Sequence, residues 1–263
     1  MVDIGANLSH NSFRKDLDQV TDAAKAAGVG HIIITGTDLE SIESASNIAA
    51  HSEGYMSFTA GFHPHVASTF DDQAYQRVAD YARSPQVVAV GEIGLDFNRN
   101  YSTPQQQEEA FTRQLQLACE TGKPVFLHQR DAHDSFYSIL KEYRPKLASG
   151  VVHCFTDTKE ALYDYLDLDL YVGITGWICD ERRGKALQEL VIDIPPDRLL
   201  LETDAPYLLP RSLKPAPASR RNEPQHLVEV ARRVALCTGR SVEEIAAQTT
   251  RNAQALFGLK KLH

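Results

Sequence analysis

Eight short apolar runs with strand character alternate along the chain with segments of helical period, and no linker interrupts the alternation. Continuous apolar strands that are each followed by an amphipathic helix are typical of a parallel sheet covered by helices. The pattern predicts an α/β fold, either a doubly wound open sheet or a (β/α)8 TIM barrel. The strands are predicted at about 2–5, 31–35, 56–61, 87–92, 124–128, 150–153, 169–174 and 198–203.

Helix boundaries are marked by capping residues. The clearest helix begins after Thr103, a good N-cap, has Pro104 in its first turn and closes at Gly122. Another follows Asp38, and the last opens at Ser241 with a glutamate three residues later, a capping-box pattern. The remaining helices are predicted at about 12–27, 71–83, 132–145, 158–167, 181–191 and 224–238.

Metal-binding side chains stand at the ends of the predicted strands. Four apolar runs end on one, namely Glu92, His128, His153 and Asp204, and a fifth ends on the pair His63 and His65. In a barrel the carboxyl ends of all eight strands face one mouth, whereas in an open sheet only strands near the switch point share a site. We therefore expect a TIM barrel that forms a single domain over residues 1–263.

This ligand set has a definite coordination chemistry. Two imidazoles and two carboxylates suit one divalent ion of the zinc, manganese or cobalt type, whereas magnesium would draw chiefly on Glu92 and Asp204. Such an ion acidifies its bound water and polarises a phosphoryl or carbonyl oxygen, so hydrolysis is the natural inference. We expect Asp204 also to accept the proton of the attacking water, and His63 to reach a substrate oxygen.

Charge is unevenly distributed along the acidic chain. The formal net charge is −8, yet residues 205–221 contain four basic residues and no acidic one, which leaves −12 for the remainder. Further arginines follow the strands, at Arg99, Arg130, Arg182 and Arg183, as do the aromatic residues Phe97, Tyr101, Phe155, Trp177 and Tyr207. Guanidinium groups bind phosphate and aromatic rings can stack on unpaired bases, so the combination favours a phosphodiester substrate and a nuclease over an amide or lactone hydrolase.

Other sequence features concern compartment and assembly. The start of the chain lacks a basic segment followed by a long apolar stretch, and no apolar run approaches membrane-spanning length. The four cysteines form no C-x-x-C pair, which fits a reducing compartment. No helix carries a sustained heptad. We expect a cytoplasmic protein that makes no membrane contact and acts as a monomer.

Seven motifs together resemble the TatD family of metal-dependent deoxyribonucleases. They are GFHPH at 61–65, GEIGLDF at 91–97, PVFLHQRDA at 124–132, HCFT at 153–156, GITGW at 173–177, LETDAPYL at 201–208 and RRNEP at 220–224. The resemblance runs in order over nearly the whole chain, and the start MVDIGANL and the run DFNRN are similar to its bacterial members.

The resemblance implies an amidohydrolase-like TIM barrel that acts as a magnesium-dependent 3′–5′ exonuclease on single-stranded DNA, and on RNA, in DNA repair or degradation. Manganese and zinc are the other candidate ions. The implied metal ligands are Glu92, His128, His153 and Asp204, and the implied catalytic residues are Asp204, His63 and Glu92. The implied substrate-binding residues are His65, Arg130, Tyr207, Arg221 and Asn222.

The first strand departs from the family pattern. Many relatives carry D-x-H-x-H there, which supplies two further ligands, whereas this chain has Asp3, Gly5 and Asn7 in those positions. Glycine has no ligating side chain, and an amide is a poor replacement for imidazole. We expect one well-held ion, with any second ion bound only together with substrate.

Two other functions are compatible with the same residues. One is a small-substrate amidohydrolase or an ester hydrolase, such as an aminoacyl-tRNA deacylase, because the same metal-activated water serves acyl chemistry. The other is a non-catalytic barrel that binds nucleic acid or protein. Charge reversal at Arg220 and Arg221 should cripple a nuclease only, and a stoichiometric ion argues against a binding module.

Overall fold

The computed structural model describes residues 1–260, and its strands follow one another in a single sheet. The strand order is β1-β2-β3-β4-β5-β6-β7-β8. A doubly wound sheet places its first strand in the middle, so this sequential order matches the barrel prediction and excludes the open sheet. The strands are β1 Val2–Ala6, β2 His31–Ile34, β3 Met56–Ala60, β4 Val87–Asp96, β5 Val125–Arg130, β6 Gly150–Val152, β7 Tyr171–Ile174 and β8 Leu199–Leu201.

A helix follows every strand, as the alternation predicts. The helices are α1 Leu17–Ala26, α2 Leu39–Ala50, α3 Asp72–Ala82, α4 Pro104–Thr121, α5 His133–Tyr143, α6 Lys159–Asp167, α7 Lys185–Leu190, α8 Leu227–Thr238 and α9 Val242–Phe257. Among residues 1–260, none of these helices is both long and apolar enough to cross a membrane.

The caps of three helices form as expected, and at the start of α2 the Asp38 side chain accepts from the Ser41 amide. The Thr103 hydroxyl accepts a hydrogen bond from the Gln106 amide, and Gly122 closes α4 in the left-handed conformation, with φ of 65°. The Ser241 hydroxyl caps α9 in the same way, and the side chain of Glu244 returns to the Ser241 amide. These contacts satisfy backbone donors that a helix end leaves unpaired.

Three helices begin later than predicted, and one of them is α8, which begins at Leu227 because residues 224–226 form a 3-10 turn. α1 begins at Leu17, because residues 11–13 form a 3-10 turn. α7 begins at Lys185, because the Asp180 carboxylate accepts the backbone amides of Arg182 and Arg183 at 2.9 Å and holds the chain in a turn. A local side-chain acceptor thus competes with helix formation at both amides.

The chain divides into two compact units. The first comprises Met1–Ile34, Cys154–Thr156 and the described residues from Val172 onward, and the second comprises Thr35–His153 and Asp157–Tyr171. The prediction of one domain over residues 1–263 stays a prediction, and residues 261–263 lie outside the described part of the chain.

Two pairs of parallel strands lie in the first unit. β1 pairs with β2, and β7 pairs with β8. The chain that leaves β8 runs beside β1, where the Asp204 amide donates to the Gly5 carbonyl at 2.8 Å and the Asn7 amide donates to the Ala205 carbonyl at 2.6 Å. The last strand therefore returns to the first, as closure of a barrel requires.

In the second unit the strands β3 to β6 are parallel. β4 is the longest strand, and all ten of its residues are buried. Its final residues extend past the predicted end at Glu92, because they pair with β5 as far as the match of Asp96 with Arg130. A strand that is covered along its whole length reads as a continuous apolar run, which agrees with the VVAVGEIGLD sequence.

Candidate metal centre

Three imidazoles converge on one carboxylate oxygen in the second unit. The oxygen is Oε1 of Glu92, which lies on β4. It lies 3.3 Å from Nε2 of His63, 2.9 Å from Nδ1 of His128 and 2.8 Å from Nε2 of His153. His63 follows β3, His128 lies in β5 and His153 directly follows β6. The structure therefore brings together four of the residues that the strand-end pattern singles out.

A glycine permits β5 to approach the strand that carries Glu92. Gly94 is paired with His128, and its φ of +146° is one that L side chains rarely adopt. A Cβ atom at this position would lie 1.8 Å from the His128 carbonyl oxygen, so any side chain would push the two strands apart. Gly94 thus sets the close spacing from which His128 reaches Glu92.

Two buried glutamines on α4 hold the chain segments that bear the site. The Gln114 side chain accepts from the Phe62 amide at 2.7 Å and donates to the Phe62 carbonyl at 3.1 Å, which fixes the residue before His63. Gln107 makes the same pair of bonds with the backbone of Asp96, at 2.8 and 3.1 Å. Residues seven apart share a helix face, so one face of α4 positions both segments.

The Glu92 carboxylate is ionised in this surrounding. Burial by itself would raise its pKa, but the His153 and His63 imidazoles, with hydrogen bonds from His128 and His153, hold the pKa well below its usual range. Hydrogen bonding to the charged form favours ionisation. Glu92 therefore supplies a full negative charge to a site that is largely closed to water.

His63 is neutral, and its tautomer is defined. Burial lowers the pKa of His63 to about 4. Its Nδ1 atom accepts a hydrogen bond from the His65 amide at 3.1 Å, so the proton of the neutral ring resides on Nε2. That atom is the one that faces Glu92. A neutral imidazole with a directed N–H is suited to donate to a substrate oxygen.

Asp96 completes the site and was missed by the sequence analysis. It is 1% exposed, its Oδ2 accepts from Nε2 of His65 at 2.7 Å, and its Oδ1 accepts the amides of Asn98 and Arg99 at 3.0 and 2.9 Å. Side chains two apart on a strand share a face, so the spacing of Glu92, Gly94 and Asp96 was a signal available in the sequence.

The surroundings of His128 favour a bound cation. Its Nε2 atom is buried and has no hydrogen-bond partner among the described residues, since Asp96 Oδ2 lies 3.5 Å away without hydrogen-bond geometry. Burial lowers the pKa of His128, but Asp96 and Glu92 outweigh it and raise the pKa. The two carboxylates beside this buried imidazole thus stabilise a positive charge at this position.

The donor geometry fits a divalent ion. Ligand atoms of His63, Glu92 and His128 all lie within 4.8 Å of one another. Donors that share one ion at about 2.1 Å lie about 3 Å apart in octahedral coordination, and the nitrogens of His128 and His153 lie 2.9 and 2.8 Å from the Glu92 oxygen. Imidazole and carboxylate are the donors that zinc and manganese take. This centre can therefore hold a divalent metal.

Asp204 lies in the first unit, at the end of β8. Its Oδ1 accepts from Nδ2 of Asn7 at 3.0 Å, and its backbone is in the left-handed region, with φ of 55°. Nearby, Asp3 is fully buried and accepts from the Thr203 amide at 2.9 Å, and burial raises its pKa to about 7. The residues at the first-strand positions 3 and 7 therefore support the loop that carries Asp204.

The predicted substrate-binding residues have different surroundings. Arg130 is exposed at the end of β5, and Tyr207 is 52% exposed with its ring edge-on to His10 at 5.9 Å. His65 is bonded to Asp96 and packs edge-on against Tyr101 at 4.9 Å. These three side chains keep surface within reach of a ligand, and their role in substrate binding stays a prediction.

Arg221 and Asn222 are engaged within the protein. Arg221 donates to both oxygens of Asp16 at 2.9 and 2.7 Å and to Glu223 at 2.7 Å. Asn222 is fully buried, donates to the Thr203 carbonyl at 2.9 Å and accepts from the Glu223 amide at 2.9 Å. Both residues hold the loop after β8 in place, and contact with substrate stays a prediction for them.

The sequence matches the family described as TatD related DNase over residues 2–258. The chain belongs to this family. The family assignment from the seven motifs is thereby confirmed.

Individual members of the TatD-related DNase family are similar over their full length. A 3′-5′ ssDNA/RNA exonuclease TatD from Klebsiella pneumoniae (strain 342) is 52% identical over 259 residues, which is 98% of each chain. The crystal structure of a TatD family hydrolase from Entamoeba histolytica has a TM-score of 0.91 at 25% identity and covers 99% of this chain and 98% of that one. YJJV, a TatD homologue from Escherichia coli K12, has a TM-score of 0.89 at 28% identity over the same shares. The predicted TIM-barrel fold class is confirmed.

Proposed function

We propose that this chain is a metal-dependent 3′–5′ exonuclease that hydrolyses terminal phosphodiester bonds of single-stranded DNA and of RNA. The observation that carries the proposal is the convergence of His63, His128 and His153 on Glu92 in a member of a DNase family. The 52% identical relative named as an ssDNA/RNA exonuclease supports the choice of substrate and polarity. We place the activity in DNA repair or degradation in the cytoplasm, with the protein acting as a monomer.

Glu92, His128 and His153 would hold the ion, and Asp204 is proposed as the fourth ligand from its position at the end of β8. When bound there, the ion supplies a more acidic water and neutralises charge on the phosphate. Magnesium is the ion that the family resemblance implies. Because imidazole donors also suit manganese and zinc, those two ions are the alternatives to compare.

His63 is proposed to donate to the phosphate. Its Nδ1 atom is occupied by the His65 amide, so the N–H at Nε2 is the group that can reach a non-bridging oxygen. A donor that is fixed before the reaction stabilises developing charge without reorganisation. Glu92 orients this N–H, since the two atoms are 3.3 Å apart.

Asp204 is proposed to accept the proton of the attacking water. Its Oδ1 accepts a hydrogen bond from Nδ2 of Asn7 at 3.0 Å. Asn7 thus fixes the rotation of the carboxylate, whereas a histidine at this position of a D-x-H-x-H strand would ligate the ion. In this chain the first strand therefore orients a ligand instead of contributing one.

The test is digestion of end-labelled oligonucleotides after removal of metal by a chelator, with magnesium, manganese and zinc added in turn. A 5′ label should give a descending ladder on single-stranded DNA and RNA, a 3′ label should be released as mononucleotide, and blunt duplex should resist. Release of a 5′-terminal mononucleotide, or no cleavage with any of the ions, would contradict the proposal.

Variants separate this function from acyl hydrolysis. Asp204→Asn should abolish nuclease activity, and the exposed Glu109→Gln is the matched control. An aminoacyl-tRNA substrate assayed in parallel tests the ester-hydrolase alternative. If Asp204→Asn cleaved single-stranded DNA at the native rate, or if acyl hydrolysis exceeded nuclease activity, the assignment would fail.

A further inference from the structure

A recess in the first unit combines cationic, flat and apolar groups. It has a volume of about 560 Å³, and it is bounded by the loops that follow β7 and β8. Trp177 and Arg183 line one side, and Arg211 and Arg220 belong to the loop after β8. Loops after the carboxyl ends of barrel strands are the ones that carry binding functions. The size suits a ligand no larger than a nucleotide or two.

The two loops are held in a fixed spacing. A Cβ atom on Gly176 would lie 2.1 Å from the Leu208 carbonyl oxygen, so only glycine permits this approach. Asp180, whose side chain is 4% exposed, accepts from Arg183 at 3.0 Å and from Arg211 at 3.3 Å. One buried carboxylate therefore anchors two guanidinium groups that remain more than half exposed, at 59% and 54%. The recess is pre-formed.

Charge and stacking surface together favour an unpaired nucleotide. The lining holds three arginines against one aspartate, and Arg220 makes no hydrogen bond or ion pair with any described residue. The guanidinium carbon of Arg183 lies 4.4 Å from the centroid of the Trp177 ring, which gives a flat surface with a positive charge on it. A base of single-stranded nucleic acid stacks on such a surface, whereas a base inside a duplex has both faces covered.

We propose that this recess is a nucleotide subsite, in which a base of single-stranded DNA or RNA stacks on the Trp177–Arg183 pair and a phosphate is bound by Arg220. The identity of the occupant rests on the proposed exonuclease function. The subsite binds one nucleotide of an unpaired strand, so it favours single strands over duplex. Its contacts are with base faces and phosphate, so it is tolerant of sequence.

The chain contains one tryptophan, so its emission reports on this subsite alone. The experiment titrates the full-length protein with a thymidine hexanucleotide in the presence of a chelator, which prevents hydrolysis, and follows both Trp177 emission and the anisotropy of a labelled hexamer. We expect quenching that saturates together with binding. A hexamer of abasic phosphates carries the same charge without bases, and we expect it to bind more weakly and not to quench.

Two exposed arginines provide the variant and its control. Arg220→Ala should raise the dissociation constant on the order of tenfold, and it should reduce the slope of log Kd against log salt by about 0.7. Arg77 lies on the surface of α3 and makes no hydrogen bond or ion pair with any residue in 1–260, so Arg77→Ala should change neither quantity. Circular dichroism of both variants checks folding.

The outcomes distinguish this inference from the proposed function. Binding of the hexamer without a change in emission, equal quenching by the abasic hexamer, or equal affinity of the Arg220 and Arg77 variants would each overturn the subsite while cleavage data stand. Failure to cleave any oligonucleotide would overturn the exonuclease and leave the emission result to be judged separately. Quenching that requires both bases and Arg220 supports the subsite.

Discussion

His128 contacts Glu92 through Nδ1 at 2.9 Å, while its buried Nε2 has no hydrogen-bond partner among residues 1–260. The ring is thus hydrogen-bonded to the cluster through Nδ1, while Nε2 faces Asp96 Oδ2 at 3.5 Å. Because the same Glu92 oxygen also meets His63 and His153, the carboxylate is the common element of the centre. Replacing it tests the whole arrangement.

Glu92→Gln should remove the ion from the centre. The amide keeps the size of the side chain but lacks the charge that the imidazoles surround, so the affinity for manganese, measured by calorimetry, should fall at least about a hundredfold, and nuclease activity should fall with it. Glu109→Gln, on the exposed face of α4, should bind manganese like the native protein. Unchanged manganese binding by Glu92→Gln would refute the assignment.

Gly94→Ala should destabilise the protein by at least about 3 kcal/mol, because the new methyl group meets the His128 carbonyl oxygen and because φ is +146°. Gly54 is the matched control: its φ is +85°, but nothing lies within 4 Å of a Cβ atom there. Gly54→Ala should therefore cost only about 1 kcal/mol of backbone strain. Chemical denaturation of the two variants measures the difference, and equal costs would contradict the close approach of β4 and β5.

Arg221→Ala and Arg220→Ala should differ in their effect on stability. Arg221 bridges Asp16 and Glu223 and is 20% exposed, whereas Arg220 is exposed and makes no such contact with the described residues. Loss of Arg221 leaves two carboxylates without their partner, so the thermal midpoint should drop, while Arg220→Ala should leave it near the native value. A midpoint unaffected by Arg221→Ala would show that this network is dispensable for the fold.

His31 should make the protein less stable in mild acid. It opens β2, is 6% exposed, and burial lowers its pKa from 6.5 to about 4. A histidine with a depressed folded-state pKa contributes stability above pH 6.5, and that contribution is lost as the pH falls toward 4, because the unfolded chain takes up the proton first. The loss should reach about 2 kcal/mol at pH 5.

The measurement is the free energy of unfolding at pH 7 and pH 5 for the native protein and for His31→Gln. The change in the free energy of unfolding between pH 7 and pH 5 should be about 2 kcal/mol smaller in the variant. His51→Gln, on the exposed end of α2, should leave the difference as it is in the native protein. The same pH dependence in His31→Gln and in the native protein would exclude His31 as its source.

Much of the centre was predictable because strand ends are visible in a sequence. An apolar run shows where a buried strand stops, and Glu92, His128 and His153 each stand at such a stop. The order of the strands in the sheet then brings those strand ends together. Asp96 was missed because its run was judged to end at Glu92, although β4 continues for four more residues through pairing with β5. The extent of a strand depends on its neighbour as well as on its own composition.

Contacts between side chains that are far apart along the chain could not be predicted from the sequence. Arg221 stands in the basic stretch, and its guanidinium donates hydrogen bonds to Asp16, which lies 205 residues earlier in the chain. Arg220, its neighbour, has no such partner among the described residues. Composition gives both arginines the same charge, and only the fold distinguishes the paired one from the other.

The sequence by itself determined the alternation of strands and helices, the residue types at the strand ends and membership of the TatD-related DNase family, because periodicity and motifs are local or ordered along the chain. The tertiary structure alone decided that three imidazoles share one oxygen of Glu92, that Asp96 lies beside His128, and that Trp177 and Arg183 form one surface of a recess. These relationships depend on distances of a few ångströms between separate elements, and such distances are set by packing and strand register.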